Sequence, residues 1–403
     1  MASVEPTFDY RHYVPIIRQK HAEMEALKFL FPEDKRHITP LLELPPTLLE
    51  KHGKHLATPA FFVEITKRIA TTWGYAPLFV DVELLSTVLI SNLGKHLLWE
   101  LLEAARGFRL SIIPVTGLNS SQDHHAAVAK AIMADNRGVC VRLSEHDLSK
   151  KSLERELQRL LVSLKVEPKQ VDILVDLKLI GDKPAKFADL SKRLPLLSSW
   201  RTFTVASGAF PKDLSDLEKN RQHELPRKDW LHWQEQIKNE ASLLRRPSFG
   251  DYTIQHPFYS RPHNRPNISA SIRYTAAPYW VIMRGEGLKN DKGAGYAQYW
   301  ANAQLLSGRS EFCGPNFSQG DEYIHKMGQQ TKHPGTPTTW LEAGINHHLT
   351  YVARQIASSF EFLAVGVPGN GSGPPLQSQS VSRISSSEVS SARLQPSQLP
   401  LIS

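Results

Sequence analysis

The chain reads as a (β/α)8, TIM-barrel-like α/β fold with a C-terminal hairpin-and-helix extension and a disordered tail. Three observations point there. Short apolar, β-branched runs alternate with amphipathic stretches of helical length, the pattern of parallel strands joined by crossovers. Eight such units follow one another within roughly the 250 residues that usually close a barrel. No glycine-rich phosphate loop follows an early run, as a doubly wound open sheet, the alternative architecture, would lead one to expect.

The runs come in order along the sequence. "YVPIIR" (Tyr13 to Arg18) precedes a helical "QKHAEMEALKFL", and "HITPLLEL" (His37 to Leu44) precedes "PAFFVEITKRIATTW". "PLFVDVELL" (Pro77 to Leu85), "RLSIIPVT" (Arg109 to Thr116) and "GVCVRLS" (Gly138 to Ser144) each lead into a helix. "QVDILVDLKLI" (Gln170 to Ile180) is the sixth run and "RTFTVASGAF" (Arg201 to Phe210) the seventh, the latter followed by a Trp-bearing helical region through Asn239. "FGDYTIQHP" (Phe249 to Pro257) is the eighth. Two more strand-like runs, Ile268 to Thr275 and Tyr279 to Gly285, flank a short Ala-Ala-Pro break and suit a hairpin, with two helices after them. The expected division is a barrel core over 1–257, an extension packed on it over 258–366, and a tail over 367–403. The tail is rich in Ser, Pro, Gly and Gln without an aromatic residue, and such a segment cannot bury enough surface to offset chain entropy.

Composition narrows the classes. The 403 residues are 41% hydrophobic, ample for a core, and carry a net charge of +8. That charge permits phosphate-rich partners, nucleic acid or nucleotide, without a dense basic run to prove them. Two cysteines, Cys140 and Cys313, argue against a disulfide framework and for a reducing cytoplasm. No apolar run approaches the roughly 20 residues of a membrane helix.

A barrel's site lies at the C-terminal ends of its strands. Side chains alternate along a strand, so parity selects which residues there point inward. Arg18, Glu43, Asp81, Glu83, Arg142, Asp176 and Lys178 all fall at run ends. Glu43, Asp81 and Glu83 offer the carboxylate oxygens that suit a divalent cation. Arg18, Arg142 and Lys178 suit a phosphate or carboxylate, and Arg284, in the glycine-dense "RGEGLKNDKGAG", is a further candidate contact. The alternative is an ordinary hydrated rim of mutually paired groups. His124 and His125 point in different directions from one helix and make a poor chelate. His52 and His55 flank a loop glycine and read as structural. Asp321 after Gly320 suits a helix N-cap. In "GINHHLTYV" the adjacent His347 and His348 cannot both face one site; the pair reads either as a structural hydrogen-bonding pair beneath the barrel mouth or as one site histidine, with His347 the candidate acid/base, since histidine titrates near neutrality. The segment Asp321 to His348 is expected to fold over the barrel mouth and bring a histidine to Glu43, Asp81 or Asp176.

"YVPIIRQKHAEMEAL" with "ITPLLEL", and the later "NFSQGDEYI" with "W…GINHHLT", together resemble the Beta-protein family of phages and bacteria. The resemblance runs from Tyr13 to Ile356. It implies one folded unit and a phage or bacterial setting, and with that setting a role in phage–host conflict; it brings no catalytic residues. Two functions fit these readings. One is a hydrolase of a phosphate-containing or nucleic-acid substrate, assisted by a metal, with Glu43, Asp81, Asp176 and His347 catalytic. The other is a non-catalytic scaffold for a phage or host protein partner.

Overall fold

The computed structural model describes residues 8–50, 58–86, 96–182, 184–238, 243–260, 268–289, 295–330 and 333–364. The Ser-rich tail and the His52 and His55 pair lie outside them.

Eight parallel strands close a barrel: β1 (Tyr13–Arg18), β2 (Leu41–Glu43), β3 (Leu78–Asp81), β4 (Ile112–Thr116), β5 (Val139–Ser144), β6 (Val171–Leu179), β7 (Thr202–Gly208) and β9 (Ser248–Asp251). β1 to β7 are neighbours in chain order, as the alternation predicts, and β9 closes the ring between β7 and β1. Parity divides each strand. Val14, Ile16, Leu41, Phe79, Ile113, Val115, Cys140, Leu174 and Ala206 fill the interior. Their neighbours, such as Tyr13, Ile17, Leu42, Val80, Val141 and Phe249, join the larger layer under the helices. Gly250 is glycine because a Cβ there would lie 2.8 Å from that of Ala206 and 2.9 Å from the Val14 carbonyl.

One segment departs from the sequence reading. Arg221–Pro226 is not helical: it forms β8, the outer strand of an antiparallel sheet with β11 (Tyr279–Gly287) and β10 (Ser269–Thr275). The helix begins after it, at Lys228. The hairpin β10–β11 forms as expected. One side of this sheet, through Trp280 and Ile282, joins the barrel's helical layer; the other, through Ala270, Ile272, Val281 and Met283, holds a core of its own with Tyr299, Ile324 and Trp340.

The long helix Pro337–Ala364 does not cover the mouth. It lies along the barrel wall, against the helix His21–Lys28 and β1, in the place of an eighth outer helix. Ile345, Leu349, Val352 and Ile356 enter the barrel's layer because that stripe recurs every three or four residues. Gly344 lets the helix approach β10: a Cβ would meet the Arg273 carbonyl at 2.6 Å. Asn346 donates to the Ala26 carbonyl (2.9 Å), and Arg354 grips Asp34 with two bonds (2.7 and 2.8 Å). No helix among the described residues is long and apolar enough to cross a membrane.

Asp229, Asp251 and Arg227 are buried together in this wall. Burial, and then the charge of Asp251, push the Asp229 carboxyl up to about 7. The folded state therefore keeps a proton that the unfolded chain, with its ordinary carboxyl, releases. Stability from this group is full below about pH 4 and falls as pH rises toward 7. Asp229→Asn should flatten that stretch of the stability–pH curve in chemical denaturation; an unchanged slope would refute the assignment.

Candidate active site at the barrel mouth

Parity brings the predicted acids and bases together. Arg18 stands two residues after interior Ile16, Glu43 after Leu41, Asp81 after Phe79, Arg142 after Cys140 and Asp176 after Leu174, so all five turn inward at the C-terminal end. The register sets Arg18, Glu43 and Asp81 side by side across β1, β2 and β3.

Arg142 is the hub. Its Nη1 donates to Asp81 Oδ2 (2.6 Å) and its Nε to Asp176 Oδ2 (3.0 Å). Its Nη2 reaches Glu43 Oε1 (2.9 Å), Asp176 Oδ2 (2.6 Å) and Tyr252 Oη (2.9 Å). Arg18 Nε pairs with the other Glu43 oxygen at 3.3 Å, while its Nη2 donates to the His256 and Pro257 carbonyls. Lys178 Nζ lies 3.0 Å from both Asp176 Oδ2 and Tyr252 Oη. The Tyr252 hydroxyl itself donates to Asp176 (2.6 Å).

Lys178 reaches this point through a bulge. The β6–β7 register shifts between Asp176 and Leu179, and Lys178 takes φ 55, with its N–H donated to Asp176 Oδ1 (2.9 Å). Bulges and left-handed non-glycine residues gather where a side chain must be re-aimed.

Electrostatics separates the acids. Burial alone would raise Asp176, but Arg142, Lys178 and the Tyr252 hydroxyl hold it well below the usual carboxylate range. Burial and the neighbouring Asp81 charge push Glu83 up. Burial drives the Tyr252 phenol well above its usual value, and the Asp176 charge adds to it.

Asp81, Glu83, Arg142, Asp176 and Lys178 line an open cavity of about 620 Å³ with the loop Gly117 to Ser121 and the start of the helix Gln122–Asp135. His124 donates Nε2–H to the Val115 carbonyl and His125 to that of Gly117, which caps the end of β4. Burial lowers His124 to about 4, so this cavity wall carries a neutral imidazole.

Three sequence assignments move. Arg284 is a strand residue of β11 opposite Arg221 and Ser271, away from the mouth, because β11 continues to Gly287. His347 is fully buried in the wall; its ring bonds Asp321 Oδ2 and the Thr275 carbonyl, both at 2.8 Å, and none of the mouth acids. Asp321 is not the N-cap: Ser318 is, accepting from the Asp321 N–H and donating to its Oδ2. As for a divalent cation on Glu43, Asp81 and Glu83, the Arg142 guanidinium already bonds the first two of these carboxylates. Among the described residues no group of three or more His, Cys, Asp or Glu side chains has metal-holding geometry. Sequence reasoning missed Tyr252; its signal is the same parity, two residues beyond Gly250.

A family model described as "Beta protein" matches residues 13–354. Among solved structures, the YdjI aldolase from Escherichia coli K12 aligns at 7% identity and TM-score 0.34, over 87% of this chain and 92% of its own. A probable tagatose 6 phosphate kinase from Sinorhizobium meliloti 1021 aligns at 11% and 0.22, over 88% of each. No curated protein matches the chain.

Proposed function

We propose, for a chain that belongs to the Beta-protein family, that the barrel mouth is the active site of an enzyme that moves protons on a polar, nucleotide-sized substrate, hydrolysis being the simplest such reaction. The observation that carries this reading is a pair of carboxyl groups in one cavity whose surroundings drive them apart, Glu83 upward and Asp176 downward. Such a split assigns one group to carry a proton and the other to stay ionised. Glu83 is the general acid. Lys178, with 36% of its side chain exposed, takes an anionic group of the substrate, phosphate or carboxylate. Arg142 and Tyr252 fix the geometry of Asp176. The cavity volume falls within the several hundred Å³ usual for small-molecule sites. A place in phage–host conflict fits the family and belongs to the same proposal.

A second reading has its own observation: all three Arg142 nitrogens are committed to groups of the mouth, as in a self-neutralised rim that serves a scaffold. A thermal-shift screen of nucleotides, sugar phosphates and carboxylates separates the two, since a ligand of the folded state raises its melting temperature. Under the enzyme reading, hits stabilise the wild type and lose most of that shift in Lys178→Met. Glu83→Gln keeps binding but loses about 100-fold or more in turnover of the hit, the usual contribution of a general acid. Hits that stabilise Lys178→Met and the wild type equally would place binding elsewhere and sink the proposal.

A further inference from the structure

The mouth network includes Tyr252, and Tyr252 directly follows Asp251, a buried residue of the barrel wall. Asp251, the last residue of β9, is fully buried and points outward, opposite in parity to Tyr252. Three donors fix its carboxylate: Tyr13 Oη at 2.5 Å and the Thr253 N–H at 2.9 Å on Oδ1, and His348 Nε2 at 2.9 Å on Oδ2. His348 comes from the long C-terminal helix, and its Nδ1 accepts from the Thr275 hydroxyl (2.8 Å) of the hairpin sheet. The acceptor at Asp251 and the hydroxyl at Thr275 together hold the ring as the Nε2–H tautomer. Thr253, at φ 57, turns the chain sharply just beyond Tyr252.

We propose that His348 is a positioning residue for the mouth: by holding Asp251 it sets the backbone from which Tyr252 reaches Asp176, Arg142 and Lys178. The "GINHHL" motif thus serves the site from outside the barrel, through β9, although neither histidine touches a mouth acid. The inference deepens the reading of the mouth as the active site, but its test needs no turnover. β9 is four residues long and held by its ladders to β1 and β7 and by the Ser248 hydroxyl, but Asp251 is its last residue, and the same carboxylate takes the Thr253 N–H, so it is the anchor next to Tyr252 where the ladder ends and the chain turns.

The readout is acylation of Lys178 by a pulse of an N-hydroxysuccinimide ester, measured by peptide mass spectrometry against the exposed Lys169. Tyr252 and Asp176 shield and hold the Lys178 amine, so Tyr252→Phe should raise its relative labelling about three- to tenfold, the range for losing one hydrogen bond of ordinary strength. His348→Leu should raise it by a similar factor, and the double variant should add little to either. His348→Gln, whose amide restores a donor to Asp251 and an acceptor for Thr275, should return labelling to within about twofold of wild type. Tyr13→Phe removes another Asp251 donor and serves if His348→Leu does not fold. Ser318→Ala, which loosens the extension without touching Asp251, should lower the melting temperature and leave Lys178 labelling unchanged. Wild-type labelling in both His348→Leu and Tyr13→Phe, or an equal rise in Ser318→Ala, would overturn the proposal. Loss of the mouth's enzyme reading alone would leave these labelling ratios as they are.

Discussion

Arg142→Ala should cost about 3–5 kcal/mol of folding stability at neutral pH, the range for stripping a buried charge of its partner. The side chain spans four strands' worth of acceptors: Glu43 on β2, Asp81 on β3, Asp176 on β6, and Tyr252 just past β9. Removing it leaves three inward carboxylates at one end of the barrel, with Arg18 reaching only Glu43 and Lys178 left beside Asp176. Arg142→Lys should recover part of the loss, because a point ammonium cannot reach three acids with the spread of a guanidinium. The pH dependence carries the diagnosis. In the wild type, Asp176 is held below its ordinary value, so its contribution is present above about pH 4 and is lost as pH falls through the folded value. In Arg142→Ala, buried acids without that partner prefer their protons, so the variant gains stability as pH falls. The gap between wild type and variant should therefore narrow between pH 7 and pH 4 in urea denaturation. A loss under about 1 kcal/mol, or the same gap at both pH values, would mean that the network carries little.

The mouth was legible because parity and strand ends are sequence properties. Arg18, Glu43, Asp81, Arg142 and Asp176 all follow an interior apolar residue by two, and the barrel brings such residues together whatever its helices do. The hub role of Arg142 was not legible, since parity gives direction and not reach. Tyr252 was hidden because the eighth run reads as extended to Pro257, whereas β9 stops at Asp251 and the next residues turn. β8 was hidden for another reason. "RQHELP" has no buried face, being exposed or half-buried throughout, and an edge strand held by backbone pairing to β11 needs no alternation. The two histidines mark the limit of local reasoning. Apart from Asp321, 26 residues before His347, their partners lie 97 residues away at Asp251 and 73 and 72 away at Thr275. Sequence spacing shows that the rings diverge; the wall of the barrel decides what each one meets.

His347→Ala should unfold the protein readily while leaving mouth-ligand binding in the folded fraction intact. Both ring nitrogens of His347 lie at hydrogen-bond distance from oxygens, one from the Thr275 carbonyl and the other from the Asp321 carboxylate. Burial would raise Asp321, yet His347, Ser318 Oγ and the Tyr274 hydroxyl outweigh it and keep the acid below its ordinary value. The buried pair thus joins the helix Gln319–Gly328 to the long helix and to β10. The ring also fills space: it stacks on Tyr274 at 3.8 Å between centroids, with Phe317 and Tyr351 at 5.6 and 5.5 Å. Truncation strips the buried Asp321 carboxylate of its ring partner and opens a cavity at once, for a cost of about 3–5 kcal/mol. Asp321→Asn in the His347→Gln background should cost less than the sum of the two single changes, with a coupling of roughly 1–3 kcal/mol, because each single change strands the other partner. Differential scanning calorimetry measures the stability change, and ligand titration below the variant's transition measures the site. A His347→Ala protein that melts like the wild type but no longer binds mouth ligands would return this histidine to the proposed active site.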